Sequence, residues 1–474
     1  MAENTQRPNL IDLKSHAGQA IREIAEDVTA AGGRAVVVGG AVRDALLGAN
    51  PKDLDVEVFG LAAGQLEQLL SAKFRIDQVG RSFGVFIIKG LDIDVALPRR
   101  ERKDGVGHKA FAIEGDPDMT FAEAAARRDF TLNAISWDPL TNELIDPANG
   151  QQDLANGVLR HVSHQFAEDP LRVLRAMQFL ARFELTIAPE TLELCRSIEA
   201  EDLPKERLFE EWAKLIRKGE KPSLGLYFLQ ECGWLRYYPE LVALTTCPQD
   251  PKWHPEGNAW VHTLHCLDAF AREKIGDPWE DLVVGFAVLL HDIGKPVTTY
   301  TDDNGRIRSP AHDVEGLPIA ETFLRRLTNH RELIEQVLPL IETHMRPSDF
   351  YRNKASNAAV RRLAGKVGRI DRLLRVSAAD MGGRPPLPAD FPAGDWLRTK
   401  AEELAIRDSA PKPLILGRHL IELGLKPGVQ FKEILAAAFE AQLDGDFNDE
   451  AGGVAFVQKF LSENAASGET QNQK

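Results

Sequence analysis

The stretch Val36-Val-Val-Gly-Gly-Ala-Val-Arg-Asp-Ala-Leu-Leu-Gly48, followed at once by Asn50-Pro-Lys-Asp53-Leu-Asp55-Val-Glu-Val-Phe59, puts a glycine pair, an arginine and two alternating carboxylates in one short unit. The apolar run before the glycines predicts a buried strand over residues 35–38, and the alternating run after Asp53 predicts a second strand. Asp53 and Asp55, two apart in a β-type segment, share one face and can grip the same Mg2+ ions. A dinucleotide cradle would need G-x-G-x-x-G with a third glycine packing helix on strand, and Gly39-Gly40-Ala-Val-Arg43-Asp44 has neither the spacing nor that glycine. The glycine pair and Arg43 suit close phosphate approach and charge neutralisation instead.

Working outward, a glycine-capped helix is expected over residues 9–31. Short β-type runs follow at 74–79, 85–88 and 91–97, which makes a mixed α/β unit. Asp92 and Asp94 repeat the alternation, and a carboxylate from a neighbouring strand is what a two-metal centre uses to complete its ligands; Asp94 is the choice by position. Beyond Asp146-Pro147 helical periodicity dominates, at 170–183, 205–217 and 224–232. The proline-rich run Cys247 to Gly257 marks a boundary, and further helices follow at 264–271, 281–290, 317–327 and 333–344.

Composition frames this reading. A chain of 474 residues with 43% hydrophobic content implies two to four domains. Its four cysteines show neither C-x-x-C spacing nor a secreted disulfide pattern, and no signal peptide or membrane-spanning run is visible, so a cytoplasmic protein without membrane attachment is expected. The net charge of −14 argues against indiscriminate nucleic-acid binding but allows a local basic groove. The runs Arg361-Arg362, Lys366, Arg369, Arg372, Arg375 and Lys205, Arg207, Lys214, Arg217, Lys218 are candidate tracks, with solvated helix faces as the alternative.

Four motifs in order now converge: Gly39-Gly40-Ala-Val-Arg43-Asp44, Asp53-Leu-Asp55, Arg127-Arg128-Asp129-Phe-Thr-Leu-Asn-Ala-Ile135 and Glu168-Asp169-Pro-Leu-Arg172-Val-Leu-Arg175. Together they resemble class II CCA-adding tRNA nucleotidyltransferases, of the bacterial multifunctional type that carries an HD phosphohydrolase domain. The resemblance implies a polymerase-β-type head with Asp53, Asp55 and Asp94 as the catalytic carboxylates, the first two holding Mg2+. It also implies Gly40, Arg43, Arg128, Asp169, Arg172 and Arg175 as nucleotide contacts. Asp169 and Arg172, three apart at a helix start, can present an acceptor beside a donor, which suits the edges of cytosine and adenine and refuses uracil and guanine. Family patterns often have a further arginine where this chain has Gln178. The polar run Arg99–Pro117 lies where the family keeps a flexible loop and looks undeleted, which favours addition of the terminal adenosine as well as the two cytidines.

A second ordered set is His262, His291-Asp292, His312, His344 and Asp380. Imidazole and carboxylate ligands suit a divalent transition metal, Ni2+ among them, that lowers the pKa of a water for attack on phosphorus. His254-Pro-Glu-Gly257, His262-Thr-Leu, Leu289-Leu-His-Asp-Ile-Gly-Lys295 and Ala378-Ala-Asp380 resemble HD domains, which implies His262, His291, Asp292 and Asp380 as core ligands, with His312 and His344 for a second metal. Lys295 is a candidate phosphate neutraliser, and His265 lies one turn from His262.

The expected fold class is α+β: a nucleotidyltransferase head with a mixed sheet (1–150), a helical neck and body (151–246), a helical HD domain (247–385) and a helical tail (386–474). The expected partners are tRNA, CTP and ATP, with no DNA and no membrane, in a monomer or homodimer. A bacterial poly(A) polymerase, a relative adding only CC or only A, and an HD phosphohydrolase with an inactive RNA-binding head are the competing readings.

Overall fold

The computed structural model describes residues 10–51, 53–78, 84–103, 111–201 and 203–471. The chain divides into two compact units, Met1–Tyr237 and Tyr238–Lys474.

The first unit is built on strands β1 (Arg34–Val38), β2 (Leu54–Phe59), β3 (Ile76–Gln78), β4 (Val85–Ile88) and β5 (Ile93–Ala96). A ribbon of β6 (Arg99–Lys103) and β7 (Phe111–Gly115) follows, then β8 (Ser136–Trp137) and β9 (Leu144–Ile145). Seven of these form one sheet in the order β3-β4-β5-β2-β1-β8-β9, with β2 and β5 parallel and the other neighbours antiparallel. Alternation decides what each face carries. Leu54, Val56 and Val58 of β2 and Ile93 and Val95 of β5 join a core with Ile21, Ile24 and Val28 of α1 (His16–Ala30) and Leu66 and Leu70 of α3 (Ala63–Ser71). Each such aliphatic side chain, fully buried, contributes roughly 1.5–3 kcal/mol. The intervening Asp55, Glu57 and Asp94 therefore stand on the opposite face.

Helix α2 (Gly40–Leu46) starts directly after β1, and α4 (Phe121–Ala126) is set by a capping box in which Thr120 Oγ1 accepts from Glu123 N while Glu123 accepts from Thr120 N. The unit continues through α5 (Gly150–Ala155), α6 (Leu171–Phe183), α7 (Pro189–Ser197), α8 (Lys205–Lys218) and α9 (Pro222–Glu231). Two expectations are corrected here. The polar run from Arg99, expected as a loop, pairs as the β6–β7 ribbon, because backbone pairing needs no apolar pattern; residues 104–110 at its tip lie outside the described residues. The stretch after Gly150, expected as helical, also holds a parallel pair of short strands, β10 (Val158–Leu159) and β11 (Thr186–Ile187).

The second unit is helical: α10 (Pro239–Leu244), α11 (Ala259–Arg272), α12 (Pro278–Leu290), α13 (Lys295–Thr298), α14 (His312–Leu327), α15 (Arg331–Thr343), α16 (Arg346–Asn353), α17 (Asn357–Val367) and α18 (Ile370–Gly382). A small hairpin, β12 (Tyr300–Thr301) with β13 (Ile307–Arg308), sits between α13 and α14. Helix α12 is buried along almost its whole length, so its apolar run is central rather than amphipathic. Helices α19 (Pro392–Glu403), α20 (Gly417–Glu422), α21 (Val429–Asp444) and α22 (Glu450–Gln471) follow, and Leu420, Ile434, Ala438 and Val457 form a small core of their own. No helix among the described residues is long and apolar enough to cross a membrane.

One of the two candidate basic tracks is spent on internal pairing. Arg362 pairs with Glu440 and Asp444, Lys366 with Glu342, Arg369 with Asp371 and Glu280, Arg372 with Glu280, and Arg375 with Asp281, while Arg361 donates to the Leu443 carbonyl. Arg372 is itself buried. These pairs tie α12, α15, α17, α18 and α21 to one another, which makes Arg369, Arg372 and Arg375 structural, while Arg362 and Lys366 stay about half exposed.

Candidate functional sites

In the first unit the glycine turn comes first. Gly39 has φ +72, a left-handed backbone that favours glycine, and a Cβ there would lie 3.0 Å from Arg128 Nη1. The turn brings the backbone against Asp55, whose Cα pairs with Val38 across β1–β2 and with Asp94 across β2–β5. Asp55, Asp94 and Glu57 line a cavity of about 310 Å3 with Arg127 and Arg128. Asp55 titrates above the usual carboxylate range, through desolvation by its surroundings and then repulsion from Asp94, with Arg128 opposing. Crowded carboxylates favour a cation, and Mg2+ is commonly held by one or two carboxylates together with substrate phosphates. Asp53 stands exposed just before β2, within electrostatic range of both Asp55 and Lys218.

A second cavity, about 430 Å3, shares Asp55 and Arg128 with the first and gathers Gly40, Arg43, Asp169, Arg172 and Arg175. All six expected nucleotide contacts thus meet around one space. Their rigidity comes from a buried relay. Arg175 donates to Asp129 (2.7 Å), which also accepts from Asn133 Nδ2 (2.9 Å) and Phe130 N (2.8 Å), and Asn133 Oδ1 accepts from Arg43. Burial alone would raise Asp129, but Arg175 and these hydrogen bonds hold it below the usual range. Arg43 is buried, bonded to Asp44 and faced by the rings of Phe179 and Phe183.

Asp169 precedes α6 and accepts from Leu171 N (3.1 Å) and from Arg207 (2.7 Å), while Arg172 donates to the carbonyls of Gln165 (2.9 Å) and Arg127 (2.8 Å). Arg207, read from the sequence as part of a basic track, thereby lines the second cavity. Asp129 and Asn133 were missed as site residues; the signal was present in the spacing of Asp129 and Asn133, which lets one side chain bond the other. Glu57 was missed although it continues the Asp53–Asp55 alternation. Gln178 is buried in α6, its Oε1 without a hydrogen-bond partner among the described residues.

In the second unit all six expected ligands converge. Asp292 Oδ1 lies 3.2 Å from His312 Nε2, Asp292 Oδ2 lies 3.6 Å from His262 Nε2, and His262 Nε2 lies 3.1 Å from Asp380. The histidine orientations follow one rule. His291, His312 and His344 turn Nδ1 to the carbonyl three residues earlier, Val288 (2.8 Å), Ser309 (2.7 Å) and Ile341 (2.7 Å), which fixes the tautomer and leaves Nε2 aimed inward. His262 turns Nδ1 to Glu256 (2.8 Å), whose same oxygen accepts from His254 (2.9 Å). Although burial alone would raise Glu256, the two histidines hold it at about 2.

The arrangement fits a divalent metal. His291 Nε2, on a residue 1% exposed, lies 3.3 Å from Asp292 Oδ2 and makes no well-directed hydrogen bond among the described residues. Burial, then His291 and His312, push His344 down to about 4, whereas at His291 the lowering by burial is outweighed by Asp292, which raises the ring to about 10, so a metal held here would displace a proton from that ring. Lys295 reaches Asp292 (2.6 Å) and Gln249 (2.6 Å), and both Lys295 and Arg384 line a cavity of about 500 Å3 over the cluster. Glu256 and Cys266 were missed as members; His265 is not part of the ligand groups among the described residues.

Three segments of the chain match known family models. Residues 35–160 match the family described as "Poly A polymerase head domain", residues 262–376 the "HD domain", and residues 184–244 the "Probable RNA and SrmB- binding site of polymerase A". The chain is therefore an enzyme that joins a head domain of the poly(A) polymerase type to an HD domain. Its fold is that of the CCA-adding enzymes. The Bacillus stearothermophilus CCA-adding enzyme in complex with CTP is 22% identical, with 96% of this chain and 100% of that one covered at a TM-score of 0.66. The Thermotoga maritima CCA-adding enzyme complexed with tRNA is 19% identical, covering 94% and 95% at 0.57, and a complex of CCA-adding enzyme with ATP is 20% identical, covering 94% and 95% at 0.59.

Proposed function

We propose that the chain adds or repairs the 3′-terminal CCA of tRNA with CTP and ATP, without a nucleic-acid template and with release of pyrophosphate. The observation that carries this reading is the single cavity in which Asp55 and the glycine turn share walls with Asp169, Arg172 and Arg175. Solved enzymes of the same fold carry CTP, ATP or tRNA, which supports those substrates here.

In this reading Asp53, Asp55 and Asp94 would hold Mg2+, which when bound neutralises the triphosphate and favours ionisation of the tRNA 3′-hydroxyl. Gly39 and Gly40 admit the triphosphate against bare backbone, and Arg43 and Arg128 counter its charge. Lys218, within electrostatic range of Asp53, Arg182 and Arg217, adds positive charge suited to phosphate at the primer end. Asp169 and Arg172 read the base edge as acceptor and donor, with Arg207 and the Arg127 carbonyl holding them in place.

The second centre hydrolyses 2′,3′-cyclic or 2′-phosphate ends. His262, His291, Asp292 and Asp380, with His312 and His344, would hold a divalent transition metal, Ni2+ among the candidates, which when bound polarises phosphate and lowers the pKa of water. Lys295 and Arg384 neutralise the phosphate. The working partition is a head over 1–150, neck and body over 151–246, HD domain over 247–385 and tail over 386–474, in a cytoplasmic monomer or homodimer.

Incubating the pure chain with tRNA lacking CCA, and with CTP, ATP or both, tests the first activity: ordered addition of two cytidines and one adenosine is expected. Long adenosine tails and indifference to CTP would instead make it a poly(A) polymerase. Asp53→Ala with Asp55→Ala should abolish incorporation and spare hydrolysis of a 2′,3′-cyclic nucleotide, and His291→Ala should do the reverse. No incorporation by the unmodified chain would leave the HD centre as the working one.

A further inference from the structure

We propose that Cys266 supplies a sulfur ligand to the metal cluster of the second unit, beside His262, His291 and Asp380, and that this position therefore takes Zn2+ or another thiophilic divalent ion. The proposal rests on the metal reading above and deepens it. Cys266 follows His262 by one turn of α11, so the two side chains project to the same side. Its sulfur is fully buried and lies 3.3 Å from His262 Nε2. One ligand atom from each of His262, Cys266, His291 and Asp380 falls within 4.8 Å of all the others.

Two independent features point to a ligand rather than to a packed thiol. His291 Nε2 is buried in the same group, 3.3 Å from Asp292 Oδ2 but without a well-directed hydrogen bond among the described residues. Gly383, which turns its carbonyl to His262, is kept bare: a Cβ there would come within 2.2 Å of the Cys266 sulfur, so any larger residue would push the sulfur out of the cluster.

Two imidazoles, a carboxylate and a thiolate make a four-donor set of the kind Zn2+ takes tetrahedrally, and sulfur disfavours Mg2+, Ca2+ and Mn2+. The sulfur–metal bond forms as the thiol proton leaves to solvent. The neighbouring group, Asp292, His312 and His344, has no sulfur, so the two positions differ in softness. Cys195, Cys232 and Cys247 are also buried and free, but none belongs to a ligand group among the described residues.

The full chain, stripped of metal by a chelator, is titrated with Co2+ alone and read by absorption. The expected result is a near-ultraviolet thiolate-to-cobalt charge-transfer band that disappears in Cys266→Ser while the visible ligand-field bands persist. Competition with a chromophoric chelator should show Zn2+ bound roughly 100-fold more weakly by that variant, at or beyond the loss caused by removing an outer partner. X-ray absorption of the Zn2+-loaded unmodified chain, which does not depend on the variant folding, should give a sulfur scatterer at about 2.3 Å. Ligand-field bands without charge transfer or sulfur scattering would overturn the sulfur ligand and leave the metal site standing. Failure to take up either ion would overturn both.

Discussion

Replacing Asp129 by asparagine removes the charge from the middle of the relay Arg175–Asp129–Asn133–Arg43 while keeping its shape. Asp129 is 7% exposed, and Arg175 would be left beside a neutral amide. Losing a charge-assisted hydrogen bond costs about 1.5–3 kcal/mol, and full truncation to alanine, which strands the arginine, about 3–5 kcal/mol. Because the folded state holds the Asp129 carboxyl below its usual range, its contribution is fully present above the unfolded value of about 3.9 and is lost as pH falls through the folded one. The stability gap between the unmodified chain and Asp129→Asn should therefore be complete at pH 7 and close progressively below about pH 4. Hydrogen exchange of the α6 and β8 amides reads this in the first unit alone. A double-mutant cycle with Arg175→Met should give a coupling of about 1–3 kcal/mol. A variant whose protection matches the unmodified chain at neutral pH, or whose gap ignores acid, would refute the relay.

Gly39→Ala should cost about 1–2 kcal/mol from its left-handed backbone and displace Arg128, so incorporation falls steeply while cyclic-nucleotide hydrolysis is unchanged. Glu256→Gln should weaken metal binding at the second centre about 10–100-fold, measured by chelator competition, with nucleotide incorporation intact. Arg372→Met should destabilise the second unit by about 3 kcal/mol, since buried Glu280 loses its two 2.6 Å bonds, yet leave the salt dependence of tRNA binding unaltered; a shallower salt slope would restore this run as an RNA track.

Much of both sites was legible because their chemistry is written at short range. The period of two that starts at Asp53 turns Asp55 and Glu57 of β2 to one face whatever the sheet around them, with Asp53 just before the strand, and a glycine pair after a buried strand announces a turn that no larger residue takes easily. His291-Asp292 at the end of an apolar run was readable for the same reason. The β6–β7 ribbon was not, because an edge pair held by backbone hydrogen bonds leaves no trace in side-chain polarity. Nor was the fate of the Arg361–Arg375 run: a cation on a helix looks the same whether it meets water or a carboxylate eighty residues away.

The sequence by itself determined which residues could do chemistry, since ligand type, alternation and helical spacing are local properties. Only the tertiary structure decided which of them meet. It joined Asp55 to Asp169 and Arg172 across one cavity, turned Arg207 from a surface charge into the partner of Asp169, and brought Asp380 to His262. These are contacts between residues whose separation in the chain carries no pattern. They exist because burying the sheet face and α12 fixes the elements that carry these side chains, and the buried ones, His262 and Asp292 among them, must find partners inside the protein.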